Sequence, residues 1–197
     1  MTFKIPTRKY KGYIFDCDGT VADTMPLHLR AWNHGLKRAK APLQIEGKDF
    51  MTVAGMALQQ TIDHWNETHS LQIDAETVMR EKNLYFQDRQ PEIKAITEVV
   101  RYARACKAEG ASISVASGGE REDVLGTLKL IGLENFFPVI VTAEDVQRAK
   151  PAPDLFLLAS EKMGIAPEDC LVIEDSLLGV EAADTAGMDS VLVPHPF

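Results

Sequence analysis

The chain has 197 residues, 45% of them apolar, and a formal net charge of −8. That length can bury a sizeable core without staples, and the acidic balance speaks against nucleic acid or an anionic membrane as a partner. Three cysteines at unpaired spacings exclude a full disulfide framework, and no apolar run reaches transmembrane length. The N-terminal stretch lacks the apolar segment of a signal peptide, so a cytoplasmic protein is expected.

In chain order, short apolar runs alternate with helical patterns. Tyr13-Ile14-Phe15 runs into Asp16. Roughly Met25 to Gln87 then reads as helices, with Leu27, Ala31 and Leu36 on one face, Leu58, Ile62 and Trp65 on another, and Val78 to Phe86 as a third. Pro91 is placed to open a further helix carrying Ile93, Ile96, Val100 and Ala103 and closed by Gly110. Ile113 to Ala116 runs into Ser117. Val124, Leu125, Leu128 and Ile131 then form a stripe ended by Gly132. Val139 to Val141 runs into Thr142, and Leu155 to Met163 reads as a helix stopped by Gly164. Leu171 to Ile173 runs into Glu174, Ser176 can cap a helix ending at Gly187, and Val191 to Val193 closes the series. Strands alternating with helices predict an α/β fold with a parallel sheet covered on both faces. The long helical stretch after the first strand predicts an insert, residues 25–87, lying as a lid over a core of residues 1–24 and 88–197.

Ligands of open parallel sheets bind at the carboxyl ends of the strands. Placed there are Asp16, Asp18, Gly19 and Thr20 after the first strand, and Ser117, Gly118 and Gly119 after the second. Lys150 lies in the loop after the third, and Glu174, Asp175 and Ser176 follow the fourth. Four carboxylates at one edge call for a cation, and hard oxygen donors suit Mg²⁺. With Mg²⁺ and Lys150 offsetting charge, Asp16 can attack a phosphate ester and form an aspartyl phosphate. Asp18 stands two residues on, where it can serve as general acid and then as base. Ser117 and the backbone near Gly118 can hold phosphoryl oxygens. Cys17, inside the motif, reads as a small apolar filler rather than a reactive thiol.

Asp16-Cys17-Asp18-Gly19-Thr20-Val21 resembles the first motif of the haloacid dehalogenase superfamily. Ser117 resembles the second motif, Lys150-Pro151 the third and Glu174-Asp175 the fourth. The helical insert is similar to the C1 cap of the β-phosphoglucomutase and sugar-phosphatase branch. The resemblance implies a Rossmann-like core and gives Asp16 the roles of nucleophile and metal ligand. It implies acid/base work and a main-chain metal contact for Asp18, and metal ligation by Glu174 and Asp175. Phosphate contacts would come from Thr20 and Ser117, charge balance from Lys150, and substrate contacts in the cap from His28 and Lys82.

Two departures weigh on substrate. The mutases hold a second phosphate with a basic cap residue, but Gly55-Met56-Ala57-Leu58 has none. After the second motif stand Gly119, Glu120 and Arg121, with Arg121 a partial substitute that Glu120 opposes. A monomeric phosphatase of a small phosphorylated metabolite, a sugar phosphate above all, is therefore expected, with a phosphomutase as the alternative. A phospho-acceptor signalling domain is disfavoured by the large insert and by Asp18, and a non-catalytic relative by the filled catalytic positions. Met56 and Trp65 read as cap core.

Overall fold

The computed structural model describes residues 4–194. Five strands, β1 (Gly12–Phe15), β2 (Ser112–Ala116), β3 (Val139–Val141), β4 (Cys170–Glu174) and β5 (Asp189–Leu192), form one parallel sheet in the order β3-β2-β1-β4-β5. Side chains alternate across it as the pleat requires. Tyr13, Phe15, Ile113, Val115, Leu171 and Ile173 point to one face. There they meet α5 (Thr97–Ala108) and α6 (Arg121–Leu130) through Val99, Ala103, Val124 and Leu128. Ile14, Ala116 and Val172 point to the other face, against α7 (Asp154–Met163) and α8 (Leu177–Thr185) through Phe156, Ala159, Ala182 and Ala183. Fully burying a side chain such as Phe15 stabilises the fold by roughly 2–3 kcal/mol. The sequence reading of an α/β, Rossmann-like sheet holds. β1 is central, with β2 on one side and β4 on the other, so the order in which strands are added reverses beside it. A crevice for ligands opens at that point.

Between β1 and α5 run four helices: α1 (Met25–Arg38), α2 (Gly47–Thr52), α3 (Leu58–His69) and α4 (Ala75–Arg89). They have an apolar centre of their own, with Trp32, Leu36, Phe50, Ile62, Trp65 and Val78 buried together. Trp32 and Trp65 meet edge to face at 4.9 Å. α1 and α4 approach so closely that a Cβ on Gly35 would lie 2.6 Å from the Val78 carbonyl oxygen. Asp74 caps α4 by accepting from the Thr77 N–H at 3.1 Å. α2 is the one helix the sequence pattern did not predict; it is six residues long and buries only Phe50. A small seam of Ala22, Leu27, Ala31, Phe86 and Ile93 joins these helices to the sheet layer.

One predicted start needs correction. Pro91 does not open α5; it sits in a 3-10 turn, Gln90–Glu92, and α5 begins at Thr97. The intervening residues pair with the chain after β1: the Asp23 N–H donates to the Lys94 carbonyl at 2.8 Å and the Ile96 N–H to the Val21 carbonyl at 2.9 Å. Ile93 is thus buried in the seam by tertiary contact, not on a helix stripe. Among the described residues, no helix is long and apolar enough to cross a membrane.

Candidate active site

The sheet brings the expected residues together. β1 delivers Asp16 and the β3–α7 loop delivers Lys150, whose ammonium donates to Asp16 Oδ1 and to Glu174 Oε2 at 2.6 Å each. All three are buried. Glu174 is fixed at the end of β4, since its Oε1 accepts from the Asp175 N–H, the Ser176 N–H and the Ser176 hydroxyl at 3.2, 3.0 and 2.7 Å. The same Ser176 Oγ accepts from the Gly179 N–H at 3.0 Å, so one hydroxyl caps α8 and anchors the carboxylate. A Cβ on Gly179 would stand 2.1 Å from Glu174 Cδ, so only glycine admits the helix this close. Gly19, at φ +76°, turns the loop beneath Asp175, whose Oδ2 would lie 2.2 Å from a Cβ there.

Carboxylate oxygens of Asp16, Glu174 and Asp175 lie within 4.8 Å of one another. Lys150 is the ammonium among them. Burial disfavours its charge, yet Asp16 and Glu174 hold its pKa above the ordinary value. Burial likewise opposes ionisation of Glu174, but Lys150 and Ser176 keep it below the usual carboxylate range. Asp16 and Asp175 are pushed well up, first by burial and then by the charge of Glu174. Three buried carboxylates against one ammonium leave an excess that a divalent cation would cancel. The all-oxygen donor set fits a hard ion such as Mg²⁺. Glu174 offers only Oε2, which it shares with Lys150.

Above this floor opens a cavity of about 840 Å³ between sheet and insert. Asp16, Asp18, Ser117, Gly118, Lys150, Glu174 and Asp175 line its base, with His28 and Lys82 in its upper wall. His28 stacks on Phe86 at 4.3 Å and places Nε2 3.6 Å from Asp18 Oδ1. Burial works against charge on Asp18, but His28 and the more distant Lys82 hold its carboxyl below the ordinary value. Ser117 Oγ accepts from the Gly119 N–H at 3.1 Å, which shapes the loop after β2. Lys82 is only 6% exposed, with Nζ 5.2 Å from the Trp32 ring and 5.9 Å from Phe86.

Several expectations change on inspection. Thr20 is fully buried, is not part of the cavity wall, and donates to Asp175 Oδ1 at 3.3 Å. It therefore holds a carboxylate rather than facing a phosphate. Arg121 is turned away: it pairs with Asp145 at 2.6 Å and does not line the cavity. Met56, read as cap core, packs there and also faces the cavity, whereas Trp65 is core alone. Cys17 is buried, and burial followed by Asp18 and Asp16 pushes its thiol well up, which suits an inert filler. Asn83, Gln87 and Gln90 line the cavity too. Sequence reasoning missed them, although α4 places Asn83 next to Lys82 and Gln87 four residues beyond.

Comparison with known proteins agrees with this geometry. The model of the haloacid dehalogenase-like hydrolases matches residues 13–193. The Bacillus subtilis protein YhcW is 36% identical over 190 residues, covering 94% of this chain and 84% of that one. The fructose-1-phosphate phosphatase YqaB of Escherichia coli is 32% identical over 188 residues, covering 93% and 96%. A solved hydrolase from Pseudomonas syringae superposes with a TM-score of 0.79 at 27% identity, over 91% of this chain and 82% of that one. A sheet that collects Asp16, Ser117, Lys150 and Glu174 at one edge, matched nearly end to end by such relatives, belongs to the haloacid dehalogenase-like hydrolases, and the chain is an enzyme of their phosphatase branch.

Proposed function

We propose that this chain is a Mg²⁺-dependent phosphatase of a small phosphorylated carbohydrate, acting through an aspartyl phosphate on Asp16. The observation that carries the reading is the buried trio of Asp16, Lys150 and Glu174, joined by two 2.6 Å contacts at the floor of the cavity. The likeness to a fructose-1-phosphate phosphatase supports the carbohydrate class.

Asp16 attacks phosphorus, and the ester oxygen leaves with a proton from Asp18. An arriving phosphate dianion raises the proton affinity of the nearby Asp18, which supports its change from ionised group to acid. Asp18 then takes a proton from water as the water cleaves the acyl phosphate and frees Asp16. Lys150 stays charged beside the nucleophile, and Ser117 with the main chain of Gly118 holds phosphoryl oxygens. Asp16, Asp175, Glu174 and the Asp18 carbonyl would hold Mg²⁺, which when bound neutralises phosphate charge. Residues 25–87 act as the lid and the remainder as the core. Hydrolysis is favoured over phosphoryl return, because Arg121 is committed to Asp145 and Gly55–Leu58 offers no cation for a second phosphate.

The test is phosphate release from a panel of sugar phosphates, with and without Mg²⁺, for wild type and Asp16→Asn. The expected result is Mg²⁺-dependent release that falls by at least about a thousandfold in the variant. Release that survives Asp16→Asn would sink the assignment of the nucleophile.

A further inference from the structure

The cavity lining also takes in residues of α4 and of the first turn of α6. A helix N-terminus that points into a substrate cavity ordinarily attracts an anion, because its free N–H groups carry partial positive charge. Here the chain fills that field with its own carboxylates. Glu120 is the residue before α6, Glu122 and Asp123 lie in its first turn, and all three line the cavity and are exposed. Among the described residues, none of the three has an ion-pair partner. The basic residue between them, Arg121, is bound to Asp145 and to the carbonyl of Ile140 outside the cavity. On the α4 side the lining offers the amides of Asn83, Gln87 and Gln90 and one cation, Lys82. The buried Lys82 ammonium lies 3.5 Å from Asn83 Oδ1 and within the fields of Asp18 and Asp123, so this one cation of α4 stands against the three carboxylates at the start of α6.

We infer, on the basis of the phosphatase reading, that this part of the cavity selects phosphate esters whose leaving group is uncharged and rich in hydroxyls. Glu120 and Asp123 reject a second phosphate or a carboxylate. Amides donate to and accept from hydroxyls, and carboxylates accept from them, without a charge conflict. A second anion brought to the same place meets like charge, and the cost, screened by salt because the carboxylates are exposed, appears in binding. The selection is by repulsion, not by a new attractive contact.

Two matched pairs test this: fructose 1-phosphate against fructose 1,6-bisphosphate, and glucose 6-phosphate against 6-phosphogluconate. Free Mg²⁺ is held constant, and phosphate release is followed at low and high salt. The expected kcat/KM favours the uncharged member of each pair by at least about tenfold, mostly through KM, and the preference shrinks as salt rises. In Glu120→Gln/Asp123→Asn the ratio narrows, and in Glu120→Lys it narrows further or inverts. Equal use of both members by wild type would overturn the inference while leaving the phosphatase reading intact. So would a ratio that ignores salt and both variants, with folding verified by circular dichroism. If the variants fail to fold, the wild-type ratio and its salt dependence decide alone. No release from any of the four esters, or from the wider panel, would remove the phosphatase reading and this selection with it.

Discussion

Lys82 shows what a single buried charge costs and why it is retained. Burial lowers its pKa to about 8, with the fields of Asp18 and Asp123 acting in the opposite direction. Its folded value lies below its unfolded one, so the unfolded chain binds more protons between about pH 8 and the ordinary 10.5. Stability should therefore rise with pH across that window, and the penalty is complete below it. Lys82→Met is expected to stabilise the protein by up to about 3 kcal/mol at pH 7, with the gain vanishing near pH 10.5, while activity falls. Urea melts at the two pH values, with kinetics at pH 7, check both halves. Gly179→Ala should do the reverse of a helix-stabilising change. Its methyl group would meet Glu174 at 2.1 Å, so we expect a loss of roughly 1–3 kcal/mol and a drop in kcat, read by thermal melts and phosphate release. Asp16 and Glu174 were legible in the sequence because each stands at or just beyond a strand end, and Lys150 because it lies in the loop that follows β3, where the fold itself gathers them. The orientation of Thr20 and Arg121 was not, because it depends on Asp175 and Asp145, partners 155 and 24 residues away.

Elements were legible in proportion to their local signals. The five strands are short β-branched or aromatic runs, and α7 and α8 carry their own stops and caps, with Gly164 in the left-handed region and Ser176 at the N-cap. α5 was misplaced because Ile93 and Ile96 match a helical spacing that tertiary pairing with Val21 and Asp23 overrides. Ser176 ties element to site, as its Oγ serves α8 and Glu174 together. Ser176→Ala should cost about 1–2 kcal/mol in a denaturant titration and weaken catalysis as well. Thr at that position should restore most of the stability, because its hydroxyl can make both bonds. A loss of stability with unchanged kcat would limit Ser176 to the helix.

At the scale of the whole molecule, stability and cation binding are linked. The carboxylates of Asp16, Glu174 and Asp175 crowd around one ammonium, so a chelator-treated sample should be less stable than one with Mg²⁺. At 100 times the dissociation constant the gain is about 2.7 kcal/mol. Asp175→Asn should melt higher than wild type in chelator, by about 1 kcal/mol, and respond less to added Mg²⁺, as measured by scanning calorimetry. An unaltered Mg²⁺ response in that variant would exclude Asp175 as a ligand.

The backbone bonds from Asp23 to Lys94 and from Ile96 to Val21 clip the way into the helical insert to the way out of it. From the sheet's side the polypeptide leaves and returns at one point, as if through a closed ring. Whatever the ring carries, the register of β1 against β2 and β4 is set without it. Changes within the insert can therefore accumulate without shifting the strands that carry Asp16, Ser117 and Glu174.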